Sequence, residues 1–407
     1  MVKKILFLTL AVCLSACCTN RQTDKSGTLD KVATPADIRT SSTETVDEAD
    51  ANSFWGKTFA DLCRQSNKEN VCISPLSAQF AMAMLANGAE GETREQICMA
   101  LGSCTDTNAY YKGLLESTLE NKDYEIDIAN SIWINDKLKV NKSFITSNKK
   151  YYDATIEVTE FSKNTLQRIN DWCKENTKGK IPSILNDIDP NDRMFLINTL
   201  YFNAAWNKPF PKENTRKDNF TTEKGKVVEV EMMKLRENLL YSNNDRFEIA
   251  LKRYNGDYSM LLALPKENVE CSEVAEDLMQ NLDDCLSEMN TCNVDLSLPK
   301  FTTEFGSSLK EVLEQQGITK TFSADAELKG ISDTPLYVDD IIQKTYINVD
   351  EEGTEAAAVT AITVRLTSIR PEKVIAMKFN RPFVYAIINN ENNEVLFVGK
   401  VGNPIEK

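Results

Sequence analysis

Residues 70–102 read NVCISPLSAQFAMAMLANGAEGETREQICMALG and decide the fold of this 407-residue chain. Ser74 and Pro75 suit the N-cap and the first turn of a helix. The helix that follows, predicted over 76–87, is apolar nearly all round and should therefore be buried. Residues 93–96 have the spacing of a capping box, which predicts the start of a second helix.

A second segment, residues 350–370, reads DEEGTEAAAVTAITVRLTSIR and has the pattern of a strand. No glycine or proline occurs over 354–365, and strand side chains alternate between two faces. One face is small or apolar: Thr354, Ala356, Ala358, Thr360, Ile362 and Val364. The other face includes both charges, Glu355 and Arg365, and we expect it to stay in water.

The end of this segment, residues 366–371, is typical of an exposed and cleavable loop. A segment that suits both an exposed loop and a buried strand indicates a region that can change between these two conformations. An alanine-rich linker between domains is the alternative interpretation.

The composition excludes several function classes. A formal net charge of −14 argues against nucleic acid as a partner, because phosphate binding needs clustered Lys and Arg. The absence of histidine excludes Ser-His-Asp and Cys-His catalysis and any His-ligated zinc site. No phosphate-cradling glycine motif occurs, and we expect no cofactor and no metal. Paired carboxylates are plentiful only because the chain has 61 acidic residues.

The N-terminus has the features of a targeting segment. Two lysines precede an apolar run over 5–14, which is too short to span a membrane stably. The following Leu-Ser-Ala-Cys17 resembles a bacterial lipobox and predicts cleavage before Cys17 and lipidation of its thiol. We therefore expect a signal peptide over 1–16, a disordered polar tether over 17–50 and a lipid-anchored protein. The predicted location is the outer membrane, on the periplasmic side or the cell surface; a plain secretory signal is the alternative.

The chain has eleven cysteines, of which Cys18 and eight in the body remain after Cys13 leaves with the signal and Cys17 is lipidated. An exported protein could form disulfides, but the spacings contain no CxxC pair and do not define a connectivity. Because most body cysteines lie among apolar residues, we expect several buried thiols.

Residues 70–102 closely resemble the serpin sequence for the central buried helix and its successor. Further segments from about Ser53 to Pro404 continue this resemblance: 126–134, 169–181, 195–206, 294–301, 309–316, 379–383 and 395–404. The resemblance implies an α+β serpin fold over 51–407, with three β-sheets, about eight or nine helices and an exposed reactive loop over 351–371.

The resemblance also implies a polar cluster beneath the main sheet that controls its opening. The matching positions are Ser74, Ser77, Asn198 and Gln343, with Trp206 where insertion starts. The family usually has a histidine at the position of Gln343. A Gln side chain both donates and accepts hydrogen bonds, as neutral imidazole does, so the cluster can survive without a protonation switch. The alternative is that both serines only cap a helix and the tryptophan only packs.

Hinge chemistry separates the family's inhibitors from its non-inhibitory members. Inserted side chains must be small and free of charge, because an unpaired buried charge costs several kcal/mol. Thr354, Ala356 and Ala358 meet this requirement on the inward face. The hinge implied by the resemblance consists of Glu351, Gly353, Thr354, Ala356, Ala357 and Ala358.

The reactive bond is assigned by loop length. The usual family distance from the hinge glycine places the cut between Thr367 and Ser368, which suits elastase-like proteases. Arg365–Leu366 would suit trypsin-like proteases, and Leu366–Thr367 chymotrypsin-like ones. Arg370 precedes proline and is a poor candidate.

The resemblance implies a suicide-substrate inhibitor rather than an enzyme. A target serine protease would attack the reactive loop, form a covalent acyl-enzyme and be trapped when the loop inserts into the main sheet. Cysteine proteases also form acyl-enzymes and are candidate secondary targets. We expect a monomer. Two alternatives are a non-inhibitory serpin that binds or stores a ligand, and an unrelated surface hydrolase that uses acidic residues.

Overall fold

The computed structural model describes residues 48–118, 122–355 and 373–406. The described residues form nine α-helices: α1 Glu48–Gln65, α2 Pro75–Ala86, α3 Gly91–Ala100, α4 Thr107–Thr118, α5 Lys142–Tyr152, α6 Lys163–Asn176, α7 Cys271–Gln280, α8 Leu282–Ser287 and α9 Lys310–Gln315. This confirms the predicted helix number.

The same residues form fifteen strands: β1 Asn70–Ile73, β2 Tyr124–Asn135, β3 Thr155–Thr159, β4 Met194–Ala205, β5 Arg216–Thr221, β6 Val227–Asn243, β7 Phe247–Arg253, β8 Tyr258–Pro265, β9 Asn290–Pro299, β10 Phe301–Ser308, β11 Ile342–Val349, β12 Gly353–Thr354, β13 Val374–Lys378, β14 Phe383–Asn389 and β15 Val395–Val401.

These strands form a six-stranded sheet in the order β10-β11-β12-β4-β2-β3 and a nine-stranded sheet. The order in the larger sheet is β1-β15-β14-β8-β7-β6-β9-β13, with β5 paired to β6. The long strand β6 pairs with β5 near its start and with β7 at its end. Strand β6 therefore joins the expected second and third sheets into one hydrogen-bonded array.

The buried helix α2 lies at the centre of the core. All of its residues are buried, Ser74 is its N-cap and Pro75 occupies its first turn, as the sequence predicts. The helix packs against β4 of the six-stranded sheet and β15 of the nine-stranded sheet. Phe80, fully buried on α2, contacts the rings of Tyr111 and Tyr152. An all-apolar helix is stable here because apolar surfaces surround it.

The outer face of the six-stranded sheet is covered by α6. Thr165, Ile169 and Cys173 are buried at helical spacing, which turns one face of α6 toward the sheet. Ile169 packs in a second apolar cluster with Phe195 and Ile197, which are residues of β4. Leu185 and Ile188, which follow α6, belong to the same cluster, so the chain between α6 and β4 also lies against the outer side of this sheet.

The six-stranded sheet contains a seam between the parallel strands β4 and β11. At one end the two strands meet directly through a bridge between Leu196 and Ile341. At the other end the two residues of β12 lie between them, with Thr354 opposite both Ala204 and Val349. We use "seam" for this boundary from Thr354 to the Leu196–Ile341 bridge.

One local prediction was wrong in detail. The second helix begins at Gly91, and Thr93 is no cap, since its hydroxyl accepts a hydrogen bond from the Glu327 backbone at 2.9 Å. The segment 294–301 spans the end of β9 and the start of β10, which are separated at Lys300. Among the described residues, no helix is long and apolar enough to cross a membrane.

Candidate functional site

The start of the predicted reactive loop is held by the segment that follows β4. The backbone N–H of Trp206 donates to the Glu352 carbonyl at 2.8 Å, and its indole Nε1 donates to the Asp350 carbonyl at 3.0 Å. The backbone N–H of Phe210 donates to the Glu351 carbonyl at 2.9 Å. Trp206 is thus a structural contact of the hinge as well as a packed aromatic residue.

Glu351 is a buried carboxylate with two partners. Lys300 Nζ contacts one carboxylate oxygen at 2.8 Å, and the Thr215 hydroxyl donates to the other at 2.8 Å. Burial acts to raise the pKa of Glu351, but the hydrogen bonds from Lys300 and Thr215 outweigh it and lower the pKa. The charged form of Glu351 therefore fixes the hinge against β10 and the loop before β5.

Thr354 is already inside the sheet. Its side chain is fully buried, and its hydroxyl hydrogen-bonds the Tyr254 hydroxyl at 2.6 Å. The Tyr254 ring stacks on Trp206 at a centroid distance of 4.3 Å. Burial raises the pKa of Tyr254 far above its ordinary value, so the phenol stays neutral.

Glu355 differs from expectation. Its side chain lies on the opposite face from Thr354, but it is only 4% exposed and contacts Lys180 Nζ at 3.2 Å. The expectation that it stays in water was wrong, because the chain between α6 and β4 covers this position. Its backbone φ of 59° is left-handed, so the strand conformation of β12 ends there.

Ser74 and Gln343 contact each other beneath the sheet. Gln343 Oε1 accepts from the Ser74 backbone N–H at 2.8 Å, and its Nε2 donates to the Ser74 carbonyl at 2.8 Å. The Ser77 backbone N–H donates to the Ser74 hydroxyl oxygen at 3.1 Å, which is a helix cap. One side chain thus connects β11 to the start of α2 through both hydrogen-bonding ends of its amide.

Asn198 lies on the other side of the seam. Its Nδ2 donates to Asn130 Oδ1 on β2 at 2.6 Å, and Asn130 Nδ2 donates to the Tyr152 carbonyl at 2.8 Å. Within the described part of the chain, no hydrogen-bond donor contacts Asn198 Oδ1. The predicted cluster is therefore two groups: Gln343 with Ser74, and Asn198 with Asn130.

Sequence reasoning missed four residues of this region: Asn130, Lys180, Tyr254 and Thr345. The Thr345 hydroxyl donates to the Cys72 carbonyl at 2.8 Å and so connects β11 to β1, beside the contact of Gln343 with the start of α2. These residues lie in ordinary strands and loops, and their sequence context contains no signal that separates them from other polar residues.

Several predicted site residues lie outside the described residues. These are Cys17, Ala356, Ala357, Ala358, Arg365, Leu366, Thr367 and Ser368. The predicted signal peptide and tether lie there too, apart from the last residues of the tether, which begin α1.

The cysteines of the described residues fall into three groups: one disulfide pair, four buried thiols, and the partly exposed free thiols of Cys285 and Cys292. Cys98 and Cys104 form a disulfide that joins the end of α3 to the loop before α4. Cys63, Cys72, Cys173 and Cys271 are buried thiols, as expected. Burial raises the pKa of Cys72 to about 11 and that of Cys173 to about 12, which keeps both thiols protonated and unreactive. No group of three or more metal-ligating side chains occurs within the described residues.

The region offers strand pairing and charge contacts rather than an activated nucleophile. It consists of a hinge that is held by hydrogen bonds, one threonine that is inserted in the sheet, and a seam lined by apolar and amide side chains. Such an arrangement can take up more of the same strand if the seam opens.

Comparison with known proteins identifies the family. Residues 49–404 match the serpin (serine protease inhibitor) family. An uncharacterized serpin-like protein of Methanosarcina mazei is 33% identical over 380 residues, which cover 87% of this chain and 86% of the relative. Iripin-8 of Ixodes ricinus is 32% identical over 372 residues, covering 87% and 92% of the two chains. The chain belongs to the serpin family.

Solved structures agree with this assignment. Tengpin, a thermophilic serpin in its native state, is 35% identical with a TM-score of 0.80, and the match covers 90% of this chain and 96% of tengpin. Human thyroxine-binding globulin, complexed with thyroxine, is 26% identical with a TM-score of 0.80, and the match covers 88% of this chain and 99% of the globulin. The α+β serpin fold is therefore confirmed.

Proposed function

We propose that this serpin is an irreversible suicide-substrate inhibitor of serine proteases. The observation that carries the proposal is the position of Thr354: this residue is paired with both β4 and β11, while the strands beyond it still meet at Leu196 and Ile341. The hinge is thus a strand whose insertion has begun and stopped.

The proposed reaction uses the chemistry of the target enzyme. Its catalytic serine attacks the carbonyl of the residue before the cut, Thr367 in our assignment, and an ester forms as the peptide bond to Ser368 breaks. The new amine leaves with the C-terminal part of the loop, and the ester keeps the protease attached. Insertion of the freed strand then pulls the protease away before water hydrolyses the ester. Arg365–Leu366 and Leu366–Thr367 remain alternative bonds for other proteases, and cysteine proteases remain candidate secondary targets.

The free energy for trapping comes from completing the sheet. An added central strand pairs its backbone on both sides and buries small side chains, so the uninserted state is kept by a kinetic barrier. Glu351, Gly353 and Trp206 anchor the point from which the strand extends.

The register of β12 supports a role for the amides along the seam. Six residues beyond Thr354, Thr360 falls opposite Asn198 on β4 and Gln343 on β11 if the observed pairing continues. Residues directly opposite each other share a face of a sheet. A threonine there would bring a hydroxyl to Asn198 Oδ1, which supports polar control of insertion at this depth.

One observation also supports export, and we propose that the exported protein is a lipid-anchored monomer. The Cys98–Cys104 disulfide is typical of an oxidising compartment. Lipidation at Cys17 would place the inhibitor on the outer membrane, on the periplasmic side or the cell surface.

A second candidate is a non-inhibitory serpin with a binding role, since thyroxine-binding globulin shares the fold with a TM-score of 0.80. The small uncharged side chains over 354–358, apart from Glu355, favour the inhibitor.

One experiment separates these candidates. Elastase-, trypsin- and chymotrypsin-like proteases are each mixed with the full chain and analysed for a covalent complex that survives SDS, and the released peptide is sequenced. We expect a complex with at least one of them and a rise in melting temperature of the cleaved form. Cleavage by every protease without a complex would refute inhibition. A cleaved form with an unchanged melting temperature would refute insertion.

A further inference from the structure

Glu355 is the residue at which the inserted strand stops. Its left-handed φ of 59° turns the chain away from the extended conformation that further pairing with β4 and β11 requires. A non-glycine residue rarely adopts this conformation without a compensating contact. The compensating contact here is Lys180, whose ammonium lies 3.2 Å from the buried Glu355 carboxylate.

The segment that carries Lys180 is itself held in place. It follows α6, and the Gly179 backbone N–H donates to the Lys174 carbonyl at 2.8 Å, while that of Lys180 donates to the Thr177 carbonyl at 2.9 Å. The Thr177 hydroxyl accepts from the Ile181 backbone N–H at 3.0 Å. Lys180 therefore approaches the seam from a structured turn.

Two tyrosines flank the seam on its outer face, and each lies beneath a lysine of this turn. Lys180 Nζ lies 5.2 Å from the ring centroid of Tyr346 on β11. Lys178 Nζ lies 4.8 Å from the ring centroid of Tyr201 on β4. The turn thus contacts both strands that must separate, and cations over aromatic faces are attracted to them. Burial, and to a lesser degree the charge of Glu355, raises the pKa of Tyr201 and of Tyr346.

We propose that Lys180 is a positioning residue that stops the reactive loop at Thr354, by pairing with Glu355 and by closing the seam over Tyr346. This inference rests on the proposed function and adds a regulator of it. Further insertion requires Glu355 to leave its left-handed conformation and to break or rebuild the contact with Lys180. The pair therefore stabilises the uninserted state selectively, which slows spontaneous insertion and sets the rate of trapping.

Lys178 provides a matched control. It lies on the same turn and contacts the other tyrosine, but its carboxylate partners are Glu125 and Asp127 of β2, not the hinge. Lys178→Met therefore removes a similar charge without freeing Glu355. Lys180→Met and Glu355→Gln remove the contact from either side, and Lys180→Arg retains it.

The test measures spontaneous loss of inhibitory activity of the full chain at elevated temperature, together with the moles of inhibitor needed per mole of protease. Lys180→Met and Glu355→Gln should each accelerate the loss about tenfold, and their combination should add little, because residues in contact are not additive. Both variants should need no more inhibitor per protease than the wild type. Lys178→Met should stay within about twofold, as expected for an exposed ion pair, and Lys180→Arg should restore the slow rate.

Equal acceleration by Lys178→Met and Lys180→Met, or additive effects of Lys180→Met and Glu355→Gln, would overturn the assignment. The denaturant midpoint of each uninserted variant is measured in parallel. Loss of the contact alone accounts for at most about 1.4 kcal/mol, the equivalent of the tenfold rate change, and a larger loss of stability would overturn the stop in favour of general destabilisation. Failure of the proposed function is distinguishable: the wild type would then form no covalent complex at all. A wild type that traps normally, with unchanged rates in the Lys180 variants, would refute only the stop.

Discussion

Replacing Thr354 with arginine tests the hinge mechanism most directly. The Thr354 side chain is fully buried, its hydroxyl contacts Tyr254 at 2.6 Å, and its strand neighbours Ala204 and Val349 are buried as well. A guanidinium at this position has neither a charge partner nor water. Thr354→Arg should therefore expel β12 from the sheet and block insertion.

The magnitude follows from the burial of an unpaired charge. Such a charge costs several kcal/mol, and we take about 4 kcal/mol for Thr354→Arg. Because each 1.4 kcal/mol is tenfold in a rate ratio, insertion should slow about 1000-fold relative to hydrolysis of the acyl-enzyme. The variant should thus be cut and released as a substrate. Thr354→Val is the control: it leaves the Tyr254 hydroxyl without its partner at a cost of about 1–3 kcal/mol. That loss is shared by the uninserted and inserted states, so trapping should persist.

The assay counts inhibitor molecules consumed per protease inactivated, with an SDS gel for the covalent complex. Tryptophan fluorescence should also change in the arginine variant, because Trp206 stacks on Tyr254. An arginine variant that traps protease with wild-type stoichiometry would refute the argument that Thr354 must be buried for insertion.

Three further outcomes follow from the structure. The pKa of Glu351 is lowered, so its contribution to stability is complete above the ordinary carboxyl pKa and is lost as the pH falls through the lowered value. Glu351→Gln should therefore weaken the dependence of the melting temperature on acid pH. An unchanged acid profile would contradict the pairing with Lys300. Phe80→Ala, in the fully buried helix α2, should lower the free energy of unfolding by about 3–5 kcal/mol in urea titrations. A loss below about 1 kcal/mol would contradict tight packing around α2, because it would mean that the neighbouring side chains move in to fill the cavity. Replacing both Cys98 and Cys104 by serine should cost about 2 kcal/mol by the loop-closure relation, and equal denaturant midpoints of the oxidised protein and the double variant would argue against the disulfide.

The sequence predicts the core of this molecule better than its seam. Helix α2 could be placed within one residue at each end, because Ser74, Pro75 and an unbroken apolar run are local signals. The strand over 195–206 and the final strand pair follow only from the resemblance to the serpins, not from local signals of this kind. The capping box at Thr93 failed because a distant backbone, that of Glu327, takes the threonine hydroxyl. A local sequence pattern contains no information about hydrogen bonds from segments that are distant along the chain.

Charges near the seam were harder to predict. Period-two alternation assigns Glu355 to the outer face, and the structure confirms the face. The prediction that this face is wet failed, since alternation contains no information about the chain that crosses over the sheet after α6. Asn130 and Tyr254 likewise act through contacts with residues far away in the sequence, Asn198 and Thr354.

The Gln343 contact has a consequence for how inhibition is measured. The amide that bridges β11 to Ser74 has no proton to gain or lose near neutrality, and the whole chain has no histidine, the side chain that ordinarily titrates between pH 5 and 8. The contact at the seam should therefore have the same strength throughout this range. The pH dependence of trapping would then reflect the titration of the catalytic groups of the target protease, since this contact of the inhibitor adds no pH dependence of its own.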